Sequence, residues 1–180
     1  PNRYAEVIQE LKTSGTVRES LRLSLAAEAF AHTADYDTYI AGYLAKVMDQ
    51  DTLFPPQLVI RGEKIQDLRY GENPHQKAVF YRETGATGPG IGTARQIHGK
   101  ELSFNNIIDL NAALELVREF DEPACVVIKH TNPCGTALGD TLANAYIRAF
   151  DADPVSAFGG IVGFNRPVDQ DTAHKLTETF

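Results

Sequence analysis

The run Ala124-Cys125-Val126-Val127-Ile128 constrains the fold more than any other stretch of this 180-residue chain. Its apolar residues are consecutive and end in three β-branched side chains, which suit an extended strand. A strand sends successive side chains to opposite faces, so an unbroken apolar run needs cover on both. A second run, Gly159–Phe164 (GGIVGF), has the same character. Helical patterns surround the two: Leu110–Phe120, Leu142–Phe150, and a last helix that Asp169 caps and that runs to the chain end. The order helix–strand–helix–strand–helix predicts α/β layers with at least partly parallel strands.

The first third of the chain reads differently. Residues 2–12 have a helical pattern that ends at Ser14-Gly15. Thr16 and Glu19 have capping-box spacing, which predicts a second helix starting there. Tyr36, Tyr39, Ile40, Tyr43, Leu44 and Val47 recur at intervals of three and four, so helix continues to about Val47, with a break near His32–Asp35. Pro55-Pro56 is a stop signal and a domain boundary. Beyond it, Gln57–Arg61 and Ala78–Tyr81 read as short strands. Gly85, Gly88, Gly90 and Gly92 make a surface loop that lacks the Gly-Lys-Ser/Thr ending of a P-loop.

Composition narrows the class. With 43% hydrophobic and 23% charged residues the chain is an ordinary folding sequence rather than a disordered one. No apolar run approaches the roughly 20 residues that span a bilayer. The opening PNRYAEVIQELK lacks both the apolar core of a signal peptide and an initial Met, and a helical pattern is still running at Phe180. Both features predict a piece of a longer protein. Two cysteines, Cys125 and Cys134, are too few for a disulfide scaffold, which predicts a reducing, cytoplasmic setting. The net charge of -7 argues against a general binder of nucleic acid or anionic membrane. Residues 61–100 nevertheless carry 7 basic against 4 acidic groups, which suggests a small anionic ligand.

Three clusters could carry chemistry. Leu68–Gln76 (LRYGENPHQ) gathers a guanidinium, a phenol, an imidazole, amides and a carboxylate around a turn forced by Gly71 and Asn73-Pro74. Arg69 offers a planar fork for phosphate and Tyr70 a flat ring for a base, the competing reading being a polar turn capped by its own side chains. Lys129–Gly135 (KHTNPCG) follows the buried strand directly, where open α/β sheets place ligands. The Asn132-Pro133 break predicts that the strand ends there, freeing Lys129 and His130 to face one pocket, with the imidazole suited to take a proton near neutral pH. The competing reading is a lysine reaching into water at a strand end. Asp153–Gly160 holds a glycine pair that lets backbone approach a ligand, or simply a tight turn. Asn105-Asn106 followed by Asp109 resembles a helix start with capping amides. A zinc-deaminase reading fails on ligands: Pro133-Cys134 has no second cysteine three residues on, and no His-x-Glu occurs.

These motifs, in this order, resemble the bifunctional purine-biosynthesis family that joins AICAR transformylase to IMP cyclohydrolase. The stretches concerned are AAEAFAHTADYD (26–37), LRYGENPHQ (68–76), SFNNIIDLNAALELV (103–117), KHTNPCG (129–135) and DPVSAFGGIVGFNR (153–166), so the likeness covers essentially the whole chain. It implies that residues 1–54 are closing helices of the cyclohydrolase domain and residues 55–180 the truncated opening part of the transformylase domain. The implied fold there is cytidine-deaminase-like α/β without the zinc, preceded by a helical segment. The implied reaction moves a formyl group from 10-formyltetrahydrofolate to the 5-amino group of AICAR, with ring closure to IMP in the complete protein. The resemblance assigns Lys129 and His130 as catalytic and Arg69, Tyr70, Asn106 and Gly159 as AICAR contacts. It implies a cytoplasmic homodimer whose ligands are AICAR and folate, with no metal in the chemistry and neither nucleic acid nor membrane as partner. The alternative is a structural fragment of that enzyme, inactive by itself.

Overall fold

The computed structural model describes residues 2–48, 54 and 58–179. The chain divides into two compact units, residues 1–59 and 60–180. Pro55-Pro56, Gln57 and Phe180 lie outside the described residues.

The first unit is helical. Helix α1 (Tyr4–Ser14) ends on Gly15 at φ 72°, whose N–H donates to the Leu11 carbonyl at 2.9 Å. That left-handed cap suits a residue without Cβ. Helix α2 (Glu19–Val47) is one uninterrupted element, so the expected break at His32–Asp35 is absent. The expected capping box is absent too. Arg18 takes the N-cap position with no side-chain cap, and Thr16 lies outside the helix. A carboxylate from α1 fills the role instead: Glu10 accepts the Arg18 N–H at 2.8 Å and pairs with its guanidinium at 2.6 Å. Arg18 also pairs with Glu6 at 3.0 Å, and Arg3 pairs with Glu6 and with Glu28 of α2. Leu21 is the one buried side chain among this unit's described residues.

The second unit opens with an antiparallel pair, β1 (Gly62–Asp67) and β2 (Val79–Glu83). The first expected strand, 57–61, is displaced: Leu58–Arg61 carry none, and Leu58 and Ile60 stand exposed. Cross-strand complementarity favours the later segment, where Glu63 lies opposite Arg82 and pairs with it at 2.6 Å. The glycine-rich stretch is a loop, as expected, closed by a 3-10 turn at Ile91–Thr93.

Then follow α3 (Phe104–Val117), β3 (Ala124–Lys129), β4 (Asn132–Leu138), α4 (Leu142–Ala152), the short α5 (Pro154–Ala157), β5 (Ile161–Phe164) and α6 (Gln170–Thr177). The class is α/β, but the sheet, ordered β4-β3-β5, is antiparallel throughout. The expectation of partly parallel strands is therefore corrected. Its cause is β4, which Asn132-Pro133 concealed. Pro133 pairs with Ile128 at a register shift on an edge strand, where a missing N–H is tolerated. Helix α3 also starts six residues before the expected Leu110, on Ser103, whose hydroxyl accepts the Asn106 N–H in a closed capping box. Asp169 caps α6 as expected, accepting the Thr172 N–H at 2.8 Å.

The apolar run of β3 is covered on both faces as the sequence requires, each of Ala124–Ile128 being at most 1% exposed. Ala124, Val126 and Ile128 pack with Ala113 and Val117 of α3. Cys125 and Val127 pack with Ala145, Tyr146 and Ala149 of α4 and Ala157 of α5. Burial pushes the Cys125 thiol up to about 12, so it acts as packing rather than as a nucleophile. Helix α4 approaches β4 so closely that a Cβ on Gly135 would lie 1.8 Å from the Ala149 carbonyl oxygen. Small residues thus set the thickness of this α/sheet/α arrangement and fix where the end of β3 emerges.

Candidate active site

Strand β3 delivers Lys129 and His130 to the edge of the core. Lys129 pairs with Asn132 across β3–β4, which leaves His130-Thr131 as a two-residue hairpin turn. Both turn residues are left-handed, at φ 52° and 63°. Two-residue turns need this twist, which Asn-Gly or Gly-Gly supplies without penalty. A histidine followed by a β-branched threonine carries strain, about 1–3 kcal/mol per residue in such regions. Three hydrogen bonds offset it. Thr131 Oγ1 and Asn132 Nδ2 donate to the His130 carbonyl at 2.7 and 2.8 Å, and Asp109 of α3 accepts the Thr131 N–H at 2.8 Å. The His130 side chain is exposed, and its ring makes no hydrogen bond among the described residues.

Lys129 is held differently. Its Nζ donates to the Phe158 carbonyl at 3.0 Å, across to the α5–β5 turn. Gly159 follows at φ 76° with open space where a Cβ would stand, so conformation rather than crowding requires glycine there. Lys129, His130, Cys134, Asp153 and Ser156 line an open cleft of about 400 Å³. Hydrogen bonds from Ser156 hold the Asp153 carboxyl below the usual carboxylate range, with the Lys129 charge a smaller contribution in the same direction.

Arg69, Tyr70 and Asn106 meet at the start of α3. The chain from Arg69 to Glu72 runs beside it: Arg69 N donates to the Leu102 carbonyl, Phe104 N to that of Tyr70, and Asn105 Nδ2 to that of Glu72. Arg69 Nη2 donates to Asn106 Oδ1 at 3.1 Å, and its guanidinium lies 5.5 Å from the Tyr70 ring centre. Asn106 Oδ1 also accepts from Ser103 N and Oγ, so the capping box and the guanidinium share one acceptor. The turn that follows is closed by Gln76, whose side chain accepts the Asn73 N–H at 2.7 Å. The turn at 71–76 is thus capped by its own side chains, while Arg69 and Tyr70 converge with Asn106 beside it. Arg69 and Asn106 line a second open cleft of about 340 Å³, with His98, Lys100 and Ile161 among its walls.

The six expected site residues thus fall into two groups, Lys129, His130 and Gly159 in one and Arg69, Tyr70 and Asn106 in the other. The two clefts share no lining residue. Helix α3 serves both, with Asn106 at its first turn bound to Arg69 and Asp109 bound to the hairpin. Sequence reasoning treated Asp109 as part of a helix start and did not place Asp153 and Ser156 beside Lys129. No sequence signal announced the turn, because Asn132-Pro133 concealed the strand that pairs Lys129 with Asn132. The glycine-rich loop, a surface loop as expected, borders a third open cleft of about 630 Å³ together with Arg82, Asn111 and Thr131. Among the described residues no group of three or more His, Cys, Asp or Glu side chains could hold a metal ion, and no helix is long and apolar enough to cross a membrane.

Comparison with known proteins places the sequence in a family. The sequence model of the AICARFT/IMPCHase bienzyme matches residues 1–180. The bifunctional purine biosynthesis protein PurH of Acetivibrio thermocellus is 52% identical over 180 residues, all of this chain and 35% of that protein. The PurH of Desulfitobacterium hafniense is 53% identical over 186 aligned residues and that of Thermoanaerobacter sp. 53% over 180, again covering all of this chain. The chain therefore spans about a third of the length of the curated relatives it matches. With a match along its full length and half of its residues shared with these proteins, the chain belongs to the AICARFT/IMPCHase bienzyme family.

Proposed function

We propose that this segment supplies the nucleotide-holding and proton-transfer half of an AICAR transformylase site, within a protein that also closes the ring to IMP. In this reading residues 1–54 belong to the cyclohydrolase part and residues 55–180 open the transformylase part. The observation that carries it is the pairing of two groups through α3 in a chain of this family: Arg69 bonded to Asn106 at 3.1 Å, and the His130 turn bonded to Asp109 at 2.8 Å.

The chemistry fits the residues. The 5-amino group of AICAR is conjugated to its ring and is a poor nucleophile. As its nitrogen bonds to the formyl carbon of 10-formyltetrahydrofolate, His130 takes the proton the amine loses. The formyl carbon becomes tetrahedral and its oxygen gains negative charge. Lys129 Nζ uses one N–H on the Phe158 carbonyl, which fixes the ammonium and leaves two for the oxyanion. The bond from carbon to the folate nitrogen then breaks as that nitrogen takes up the proton that His130 accepted, which returns the imidazole to its neutral form. Arg69 holds the nucleotide phosphate, Tyr70 its flat base, and Asn106 and the Gly159 backbone complete the contacts. The partners in this reading are AICAR, the folate and a second copy of the full protein, in the cytoplasm, with neither metal nor nucleic acid taking part. Because the chain spans about a third of its relatives' length, this reading has the segment inactive in isolation.

The test uses a full-length enzyme of the family that carries this segment. His130→Ala lowers kcat for formyl transfer by roughly 10²–10⁴ and leaves cyclohydrolase activity intact. Arg69→Ala weakens AICAR binding by about 1.5–3 kcal/mol in calorimetry. Near-normal transfer by the His130 variant removes it from the mechanism, and unchanged affinity removes Arg69 from the binding site. Turnover by the 180-residue chain within about tenfold of the full enzyme overturns the incomplete-site reading.

A further inference from the structure

We infer that Asp109 is a positioning residue for formyl transfer, its carboxylate fixing the strained His130-Thr131 turn and so the place from which the imidazole acts. The inference rests on the reading of His130 as the proton acceptor. Three observations support it. His130 and Thr131 are the only non-glycine residues with left-handed φ among the described residues, and they are adjacent. Turns of that kind relax unless their surroundings over-determine them. Of the hydrogen bonds that hold the turn, Thr131 Oγ1 to the His130 carbonyl comes from within it, and Asn132 Nδ2 to the same carbonyl comes from the adjoining strand β4. Neither reaches beyond the hairpin. The third, Thr131 N–H to Asp109 Oδ1 at 2.8 Å, ties it to an element 22 residues upstream.

Helix α3 is a suitable anchor. Its N-terminus is locked by the Ser103–Asn106 capping box, and its inner face is packed on β3 and β5 through Ala113 and Val117. The same first turn carries Asn106, which binds Arg69. One rigid element therefore spaces the nucleotide-holding guanidinium from the imidazole, and Asp109 is the link on the imidazole side. A displacement of about 1 Å in a reacting group can cost about 10²-fold in rate, so a residue that touches no substrate can still govern turnover.

The experiment compares Asp109→Ala and Asp109→Asn in the full-length family enzyme, with His130→Ala beside them. Asp109→Ala is expected to lower kcat for formyl transfer by about 10–10²-fold. AICAR affinity by calorimetry should change by less than about twofold, because Arg69, Tyr70 and Asn106 are untouched, and the Thr131 amide should lose its protection from hydrogen exchange. Asp109→Asn keeps an oxygen acceptor at the same reach, and its kcat should stay within about threefold of the parent. The inference is overturned by an unchanged kcat in Asp109→Ala, by Asp109→Asn being as slow as the alanine variant, or by AICAR affinity falling in step with kcat, which marks a general loosening of the fold. Normal transfer by His130→Ala would defeat the parent reading and with it the catalytic role of Asp109, while exchange at Thr131 would still report whether the carboxylate holds the turn.

Discussion

Strand β3 keeps five consecutive apolar side chains at no more than 1% exposure, whereas α2, 29 residues long, buries only Leu21. Phe30, Tyr36, Tyr39 and Tyr43 on that helix are each more than 60% exposed. The helix ends differ as well. In the second unit Ser103, Thr141, Asp153 and Asp169 each cap a helix with a side-chain oxygen, while α1 and α2 begin without one. Residues 60–180 are thus held by burial and local hydrogen bonding. Among the described residues of 1–59, the one buried side chain is Leu21, and carboxylate–arginine pairs of Glu6, Glu10 and Glu28 join the two helices. Surface pairs of that kind contribute about 0–1 kcal/mol and fade with salt, with Glu10, the most covered of the carboxylates, screened least. The lesson is that apolar side chains are worth several kcal/mol when two layers close over them and little when none does.

The largest effect that could break this contrast is at Gly135. A valine there drives its Cβ into the Ala149 carbonyl, so α4 must leave β4. Gly135→Val should cost about 3 kcal/mol or more. Amide exchange should then accelerate throughout β3 while α2 keeps its own rate. Loss of protection in both together would show one cooperative body and erase the distinction. A smaller effect tests the first unit from within. Leu21→Ala should cost about 2 kcal/mol, and Phe30→Ser should stay within about 0.5 kcal/mol. Equal losses at the two positions, measured by thermal unfolding, would mean that the exposed stripe of α2 is covered in solution.

The same contrast explains what was legible in the sequence. The doubly covered strand was readable from Ala124–Ile128 because burial on two faces leaves no polar position. Around Arg69 and Lys129 the residue types alone left a structural and a functional reading both open, and the family resemblance of LRYGENPHQ and KHTNPCG carried the functional one. Strand β4 was not, because proline and glycine normally signal a break, and only an edge position with a register shift admits Pro133 while only a close helix explains Gly135. Antiparallel order followed from that one missed strand. Local rules also failed at Thr16–Glu19, since the carboxylate that caps α2 comes from another helix. The part Asp109 plays was hidden for a similar reason: its partner is a backbone N–H on a distant turn, and no side-chain pattern announces such a contact.

The smallest effect concerns the side-chain caps that set the second unit apart. Hydrogen bonding to Thr172 holds the Asp169 carboxyl below its ordinary value of 3.8. A carboxyl whose folded value is depressed adds stability that is present above its unfolded value and is lost as pH falls through the folded one. Acidification below about pH 4 should therefore remove the cap and fray α6. Asn and Asp cap comparably, so Asp169→Asn should match the parent at neutral pH. Because asparagine does not titrate there, the variant should lose less melting temperature than the parent as the pH is lowered. Asp153, depressed by the same kind of bond to Ser156, stays in place in both proteins and leaves a residual slope in each. Thermal unfolding across the acid range is the measurement. Superimposable curves for parent and variant would show that the caps contribute nothing pH-dependent, and burial alone would then distinguish the second unit from the first.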